Sequence, residues 1–186
     1  MGIFDFFKKK EKIIKTEIPE RNSFDKHYFE EINMNNLKDY YYTSIEFNGR
    51  KIDLDLNFET KNTNQNELDR IDRFINQISV FNKGNKIHIK NDFELEVSMT
   101  FDYLNFFLDE LEEDELGKII GLNDFKESRD ILLLKKLELN RVGIYPQHSY
   151  FATFDYSIDI DGEPCNQLLV VNVDEKGKLD NITWES

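Results

Sequence analysis

The pair Asn48-Gly49 constrains the fold of this chain more than any other feature, because it separates two runs of alternating apolar and polar residues. A type I′ turn requires positive φ at both central residues, and Asn-Gly adopts that conformation at the least cost. The sequence therefore predicts a β-hairpin over residues 40–58. In its second strand one face carries Ile52, Leu54, Leu56 and Phe58, and the other carries Lys51, Asp53, Asp55 and Asn57. We expect the second face to be exposed to water.

The middle of the chain has the periodicity of helices. Apolar residues recur at spacings of three and four from Leu68 to Phe81, which predicts an amphipathic helix that ends near Lys83-Gly84. A second helix is predicted from about residue 97 into the acidic run 109–115, and residues 86–96 fit either a strand or a helix. A third helix is predicted to run to about Leu134, with Asn123 or Asp124 as its N-cap.

The C-terminal third has the pattern of strands. Four are predicted, at Leu137–Tyr145, Tyr150–Ile158, Gln167–Val173 and Lys178–Trp184. Their connections are short, and a parallel pair would need a crossover of a dozen or more residues, so we expect antiparallel pairing. A short edge strand over Tyr28–Asn33 is also compatible with the residue types there.

These elements predict an α+β fold with an N-terminal β-hairpin, central helices and a C-terminal antiparallel β-meander. Residues 1–22 are predicted to form a flexible N-terminal arm, and residues 23–186 a single α+β domain. The aromatic cluster Tyr40–Tyr42 and the single Trp184 are predicted to lie in the core, the alternative being that they anchor an interface.

The charge of the chain excludes some partners. With 37 Asp and Glu against 24 Lys and Arg, the net charge is −13, which repels nucleic-acid phosphates, so we expect no nucleic-acid partner. The single cysteine cannot form an internal disulfide, which favours a reducing compartment, and we predict a cytoplasmic protein. No apolar run reaches the roughly 20 residues that a transmembrane helix needs.

Two stretches resemble a known family. Tyr42–Phe58 reads YTSIEFNGRKIDLDLNF, and Arg141–Ser186 contains FDYSI, LLVV and a WES terminus. These stretches resemble the bacterial domain of unknown function two-thousand-and-four family, in which a tryptophan often stands where this chain has Tyr41 and Tyr42. The resemblance covers most of the chain from about Tyr28. It implies a bacterial cytoplasmic protein with an α+β fold, some of whose relatives are similar to immunity proteins of toxin systems, and it implies no catalytic residues.

The sequence contains no recognisable catalytic or metal site. A nucleophilic pair would need Cys165 beside a histidine, and only His148 is close to it in sequence, so we interpret Cys165 as a loop thiol. The three histidines and the cysteine lack zinc-ligand spacing. A calcium loop over Ser157–Leu168 would place a leucine where a bidentate glutamate belongs, so Asp161-Gly162 is predicted to be a hairpin turn. We therefore expect no catalytic residues, no metal and no cofactor.

The densest acidic feature is a candidate partner-binding surface. It consists of Asp109, Glu110, Glu112, Glu113, Asp114 and Glu115. Negative charges at the C-terminus of a helix oppose the helix dipole, and this unfavourable placement favours a role in binding a basic protein such as a toxin. The alternative is an ordinary solvated helix end.

The N-terminus is a candidate membrane or docking contact. Phe4, Phe6 and Phe7 could insert into a bilayer while Lys8, Lys9 and Lys10 meet anionic headgroups. The sequence thus leaves three hypotheses: a protein-binding module, immunity-like in role, an enzyme whose site is not recognisable from sequence, and a peripheral membrane-docked adaptor.

Overall fold

The computed structural model describes residues 23–24, 28–29, 32–95, 97–121 and 126–186. In chain order its elements are β1 (Ser23–Phe24), β2 (Ile32–Asn33), β3 (Tyr40–Phe47), β4 (Arg50–Asn57), α1 (Gln65–Ile75), α2 (Ile78–Phe93), α3 (Met99–Glu110), α4 (Glu113–Ile120), α5 (Arg129–Leu134), β5 (Leu137–Ile144), β6 (Ala152–Ile160), β7 (Glu163–Pro164), β8 (Leu168–Val173) and β9 (Leu179–Glu185). The predicted α+β fold is confirmed.

The main sheet contains the β3–β4 hairpin and the C-terminal strands. Its strand order is β3-β4-β5-β6-β8-β9, and β7 pairs with the end of β6. The C-terminal strands pair antiparallel as predicted, whereas β4 and β5 are parallel. A parallel pair needs a long crossover, and the helical region between these strands provides it. The sequence patterns did not predict this parallel pairing of β4 with β5.

The predicted hairpin is confirmed in its register and in its turn. Strands β3 and β4 pair without a register shift from Phe47↔Arg50 to Tyr40↔Asn57. Asn48 and Gly49 have φ values of 51° and 82°, as a type I′ turn requires. The prediction of a strand over Tyr28–Asn33 is confirmed for Ile32–Asn33, which pairs with β1, and is wrong for Tyr28 and Phe29. Residues 30–31 lie outside the described residues.

The first predicted helix is in fact two helices. α1 ends at Ile75, and α2 continues through Gly84 to Phe93, which also settles most of the open range 86–96 as helix. Phe74, Ile78 and Phe81 keep helical spacing across the break, so their periodicity does not reveal it.

The third predicted helix also differs from the prediction. It begins at Arg129 after Ser128 as N-cap, and an additional helix, α4, precedes it. Ser128 belongs to the residue types that favour N-caps, and the sequence therefore offered several starting points. The predicted caps Asn123 and Asp124 lie outside the described residues.

Helices α1, α2 and α3 all contact the same face of the main sheet. The Phe74 ring of α1 lies 6.2 Å from that of Phe154, and the Tyr156 hydroxyl donates to Asn82 Oδ1 of α2 at 2.8 Å. Tyr103 of α3 packs edge-on against Trp184, with ring centroids 6.0 Å apart. The hydrophobic core lies between this face and the helices. Among the helices in the described part of the chain, none has the length and hydrophobicity needed to cross a membrane.

Candidate functional site on the open face of the sheet

The opposite face of the main sheet carries mostly polar side chains and is called the open face below. Its residues include Tyr40, Tyr42, Ser44 and Glu46 on β3, Lys51, Asp53, Asp55 and Asn57 on β4, Asn140 and Arg141 on β5, Thr153, Asp155 and Ser157 on β6, Asn172 on β8, and Asn181, Thr183 and Glu185 on β9. An antiparallel sheet commonly leaves one face in water, so polarity alone does not indicate a site.

Arg141 at the centre of this face is held by four hydrogen bonds. Its Nε donates to Asp55 Oδ1 at 2.6 Å, and its Nη2 donates to Asp55 Oδ2 at 2.9 Å and to the Tyr145 hydroxyl at 2.8 Å. Its Nη1 donates to Asp155 Oδ2 at 2.7 Å. Asp55 is 1% exposed and Asp155 5%, so two buried carboxylates share one guanidinium.

The charges of this network perturb one another. Burial alone disfavours the charged guanidinium, but the hydrogen bonds that it donates to Asp55 and Asp155 outweigh this effect and raise the pKa of Arg141. Burial raises the pKa of Asp155, which the hydrogen bond from Arg141 only partly offsets. Asp155 Oδ1 is buried and has no hydrogen-bond partner among the described residues. Arg141 therefore stays charged, and Asp155 retains an acceptor that nothing in the described structure satisfies.

A hollow of about 340 Å³ opens beside this network. Tyr42, Asp53, Arg141, Asp155 and Pro164 are among its lining residues. The Tyr42 hydroxyl donates to Asp53 Oδ1 at 2.7 Å, and Ser44 Oγ donates to the same oxygen at 3.1 Å. Because both bonds go to Oδ1, the other oxygen of Asp53 is left for a further donor.

The open face is negatively charged and rich in exposed tyrosine. Carboxylates outnumber cations there, since Glu46, Asp53, Asp55, Asp155 and Glu185 share this face with the cations Lys51 and Arg141. The side chains of Tyr40 and Tyr42 are each 52% exposed. Tyr41 and Trp184 instead face the helices, so the predicted core placement of these aromatics is right for two of the four residues.

The predicted acidic surface lies elsewhere. Asp109 and Glu110 end α3, Glu112 is the N-cap of α4, and Glu113, Asp114 and Glu115 form its first turn. The premise that the run lies at a helix C-terminus is therefore wrong for four of the six residues. At a helix N-terminus the dipole favours negative charge.

Local contacts account for part of this acidic run. The Glu115 carboxylate accepts from the Glu112 N–H at 3.1 Å, and Arg129 donates to both oxygens of Glu113 at 2.6 and 2.8 Å. None of the six residues belongs to the strands of the open face. Their role in partner binding stays a prediction with a structural alternative.

The other candidate groups do not come together. The His148 ring packs against Tyr150, with centroids 4.3 Å apart, while Cys165 Sγ lies 3.5 Å from the Gln167 carbonyl oxygen. Asp161 and Gly162 have φ values of 53° and 88° between paired strands, so the predicted hairpin turn is confirmed. In the described ranges no three His, Cys, Asp or Glu residues are grouped so as to hold a metal ion. The docking candidates Phe4, Phe6, Phe7 and Lys8–Lys10 lie outside the described residues.

Sequence reasoning missed Arg141 and Asp155 as site residues. One signal was present, because Asp155 interrupts an apolar strand, FATFDYSI, and a charged residue in a buried strand needs a partner. Its partner lies on a different strand, and no local pattern identifies it. Comparison of the chain with family models, with curated proteins and with solved structures finds no match.

Proposed function

We propose that this protein is a cytoplasmic protein-binding module, immunity-like in role, that binds a basic segment of its partner on the open face. The observation that carries the proposal is the buried Asp55–Arg141–Asp155 network, which lies next to the exposed Tyr40 and Tyr42 of β3 on the same face of the sheet. Buried ion pairs contribute little net stability and often cost some. A face that serves only solubility has no need of them, whereas a binding face gains from charges held in one geometry.

The chemistry of the open face favours a basic partner. Its excess of carboxylates lies on a chain with a net charge of −13, which speeds encounter with cations. The exposed Tyr40 and Tyr42 offer large amphipathic side chains, and tyrosine is enriched in interfaces, where it also binds cations over its ring. Asp53 has a carboxylate oxygen available to a lysine or arginine.

Paired capture experiments test the proposal. Wild-type protein on a support should recover from native lysate, at low salt, a basic protein that elutes at high salt. The Asp53→Lys variant, which is changed on the open face, should no longer capture this basic protein. Asp114→Lys makes the same change in charge within the acidic run of α4 and should retain it.

The outcomes separate the surfaces. Loss with Asp114→Lys together with retention by Asp53→Lys would move the interface to the acidic run. Recovery of no basic partner by the wild-type protein at low salt would contradict a binding function. Thermal unfolding of both variants checks that each loss reflects the surface and not the fold.

A catalytic site is the second candidate, favoured by the convergence of Asp53, Arg141 and Asp155 on one hollow. Two facts speak against it: both oxygens of Asp55 are occupied by Arg141, and the guanidinium is shared between two carboxylates. Turnover of a small molecule that disappears in a folded Asp155→Asn variant would establish the enzyme and displace the binding module.

A further inference from the structure

Strand β3 forms an edge of the main sheet and is less protected against pairing with another strand than the opposite edge, β9. Its eight residues, YYYTSIEF, contain no proline or lysine and one charged residue, Glu46, and its ladder with β4 has no register shift. Natural proteins usually protect an edge with such residues or with bulges, because unpaired backbone groups there can pair with another strand. The opposite edge, β9, carries an exposed Asp180 and a register shift near Asn172.

The unpaired backbone groups of β3 can be assigned to particular residues. The two-residue turn closes on the pair Phe47↔Arg50, which exchanges backbone hydrogen bonds. Bonding then alternates along the ladder, so Tyr40, Tyr42, Ser44 and Glu46 direct their N–H and C=O groups away from β4. In the described part of the chain no other strand pairs with β3.

Two recesses flank this edge, one on each side of the sheet. On the helix-covered side a groove of about 380 Å³, called the edge groove below, lies between β3 and the α1–α2 junction. Its lining includes Tyr28, Ile45, Phe47, Ile75, Ile78 and Ser79. On the other side lie Tyr42, Ser44 and the carboxylate of Asp53, at the start of the hollow.

We infer that the partner segment binds as an extended strand added to the edge of β3, with apolar and basic side chains in alternation. Successive side chains of a strand point to opposite sides, so an apolar residue would enter the edge groove and its neighbours would reach the carboxylates of the open face. In this mode of recognition the backbone bonds supply affinity and the two recesses supply specificity. The inference rests on the proposed function for the existence of a protein partner.

Hydrogen exchange with a synthetic probe tests the mode of binding. The probe is a capped peptide of alternating valine and arginine, as long as the eight residues of β3, and the control peptide replaces arginine with glutamate. Saturation with the arginine peptide should slow exchange of the outward amides of Tyr42, Ser44 and Glu46 by about tenfold or more. The amides of Thr43 and Ile45, which already bond to β4, should change little, and the glutamate peptide should leave all five unchanged.

Two pairs of variants locate the contact. Glu46→Pro removes one outward N–H from an edge position, where proline is tolerated, and should weaken binding of the arginine peptide about tenfold. Glu46→Thr loses the same carboxylate, keeps the N–H and should bind more tightly than Glu46→Pro. Ser79→Arg obstructs the edge groove and should weaken binding of the arginine peptide. Val80→Arg adds the same charge at an exposed neighbouring position and should bind the peptide as the wild type does.

Three results would overturn the inference. Strand addition would be excluded if saturation did not slow exchange of the outward amides and if Glu46→Pro and Glu46→Thr bound the peptide with equal affinity. The proposed function would then still be tested by the capture experiment. Protection that grows with protein concentration in the absence of peptide would make a second copy of this chain the occupant. If the glutamate peptide bound as tightly as the arginine peptide, the partner segment would not need basic residues.

Discussion

Arg141 is the residue on which the geometry of the open face depends. Arg141→Met keeps an apolar stem of similar length but leaves Asp55 and Asp155 buried without a cation. Breaking a buried ion pair by removing one partner typically costs about 3–5 kcal/mol, and we expect the lower end, because a third of this side chain is in contact with water. Urea unfolding at neutral pH measures the loss of unfolding free energy.

Arg50 provides a control for this prediction. It also donates two hydrogen bonds to one carboxylate, that of Asp159, but this carboxylate is partly exposed, whereas Asp55 and Asp155 are buried. Pairs in contact with solvent contribute about 0–1 kcal/mol, so Arg50→Met should cost clearly less than Arg141→Met. Equal losses in the two variants would mean that the network around Arg141 is no more than a surface ion pair.

Asp155 predicts a specific dependence of stability on pH. Burial raises its pKa in the folded protein above the unfolded value, so the folded state binds the proton more tightly. The stability that this group contributes is fully present below the unfolded pKa and is lost as the pH rises through the folded pKa. Asp155→Asn cannot titrate and should lack this component.

The comparison is made by chemical unfolding of both proteins from about pH 3 to pH 7, which spans the ordinary pKa of aspartate. The wild-type protein should lose unfolding free energy relative to Asp155→Asn as the pH rises. A difference that is constant, or that moves in favour of the wild type, would contradict a raised pKa.

Among the elements, helix α2 contains a glycine that its surroundings do not require. A Cβ on Gly84 would meet nothing within 4 Å, and its φ is not in the left-handed region. Alanine favours a helix interior over glycine by about 0.5–1 kcal/mol, so Gly84→Ala should raise the unfolding free energy by that amount. Thermal and urea unfolding both measure the gain.

Gly177 gives the opposite expectation for the same substitution. Its φ is +76°, and a Cβ there would lie 2.1 Å from the Phe81 ring. Gly177→Ala should therefore destabilise the protein. Stabilisation by both substitutions would show that the unfolded chain, and not the local structure, determines the effect of losing a glycine.

A helix or strand could be predicted from the sequence where the residues that define it are close together in the chain. The hairpin was predictable because turn chemistry and alternation are both local. The break between α1 and α2 was not, because the apolar spacing continues across it. Helix α4 was hidden in the acidic run, since the charges that start a helix also resemble a solvated helix end.

The arrangement of the whole sheet was only partly predictable. Short connections fixed the antiparallel meander, but nothing local indicates that β5 pairs with β4 in parallel across the helical region. The network on the open face forms only when β4 and β5 pair, because Asp55 and its partner Arg141 are 86 residues apart in sequence. The sequence therefore placed Asp53 and Asp55 on a polar face without revealing the site they belong to.

The pairing of β4 with β5 predicts that the described chain unfolds as one cooperative unit. Trp184 lies on the edge strand opposite β3, where it packs against Phe106 of α3 with ring centroids 5.2 Å apart, and it is the only tryptophan of the chain. Because β4 is held by β5 and by Arg141, loss of the hairpin should expose the core that the helices share with β9. Tryptophan fluorescence and far-UV circular dichroism should then give the same midpoint in urea, as a single cooperative unit requires. A fluorescence transition that precedes the loss of helix would divide residues 23–186 into two units and contradict the predicted single domain.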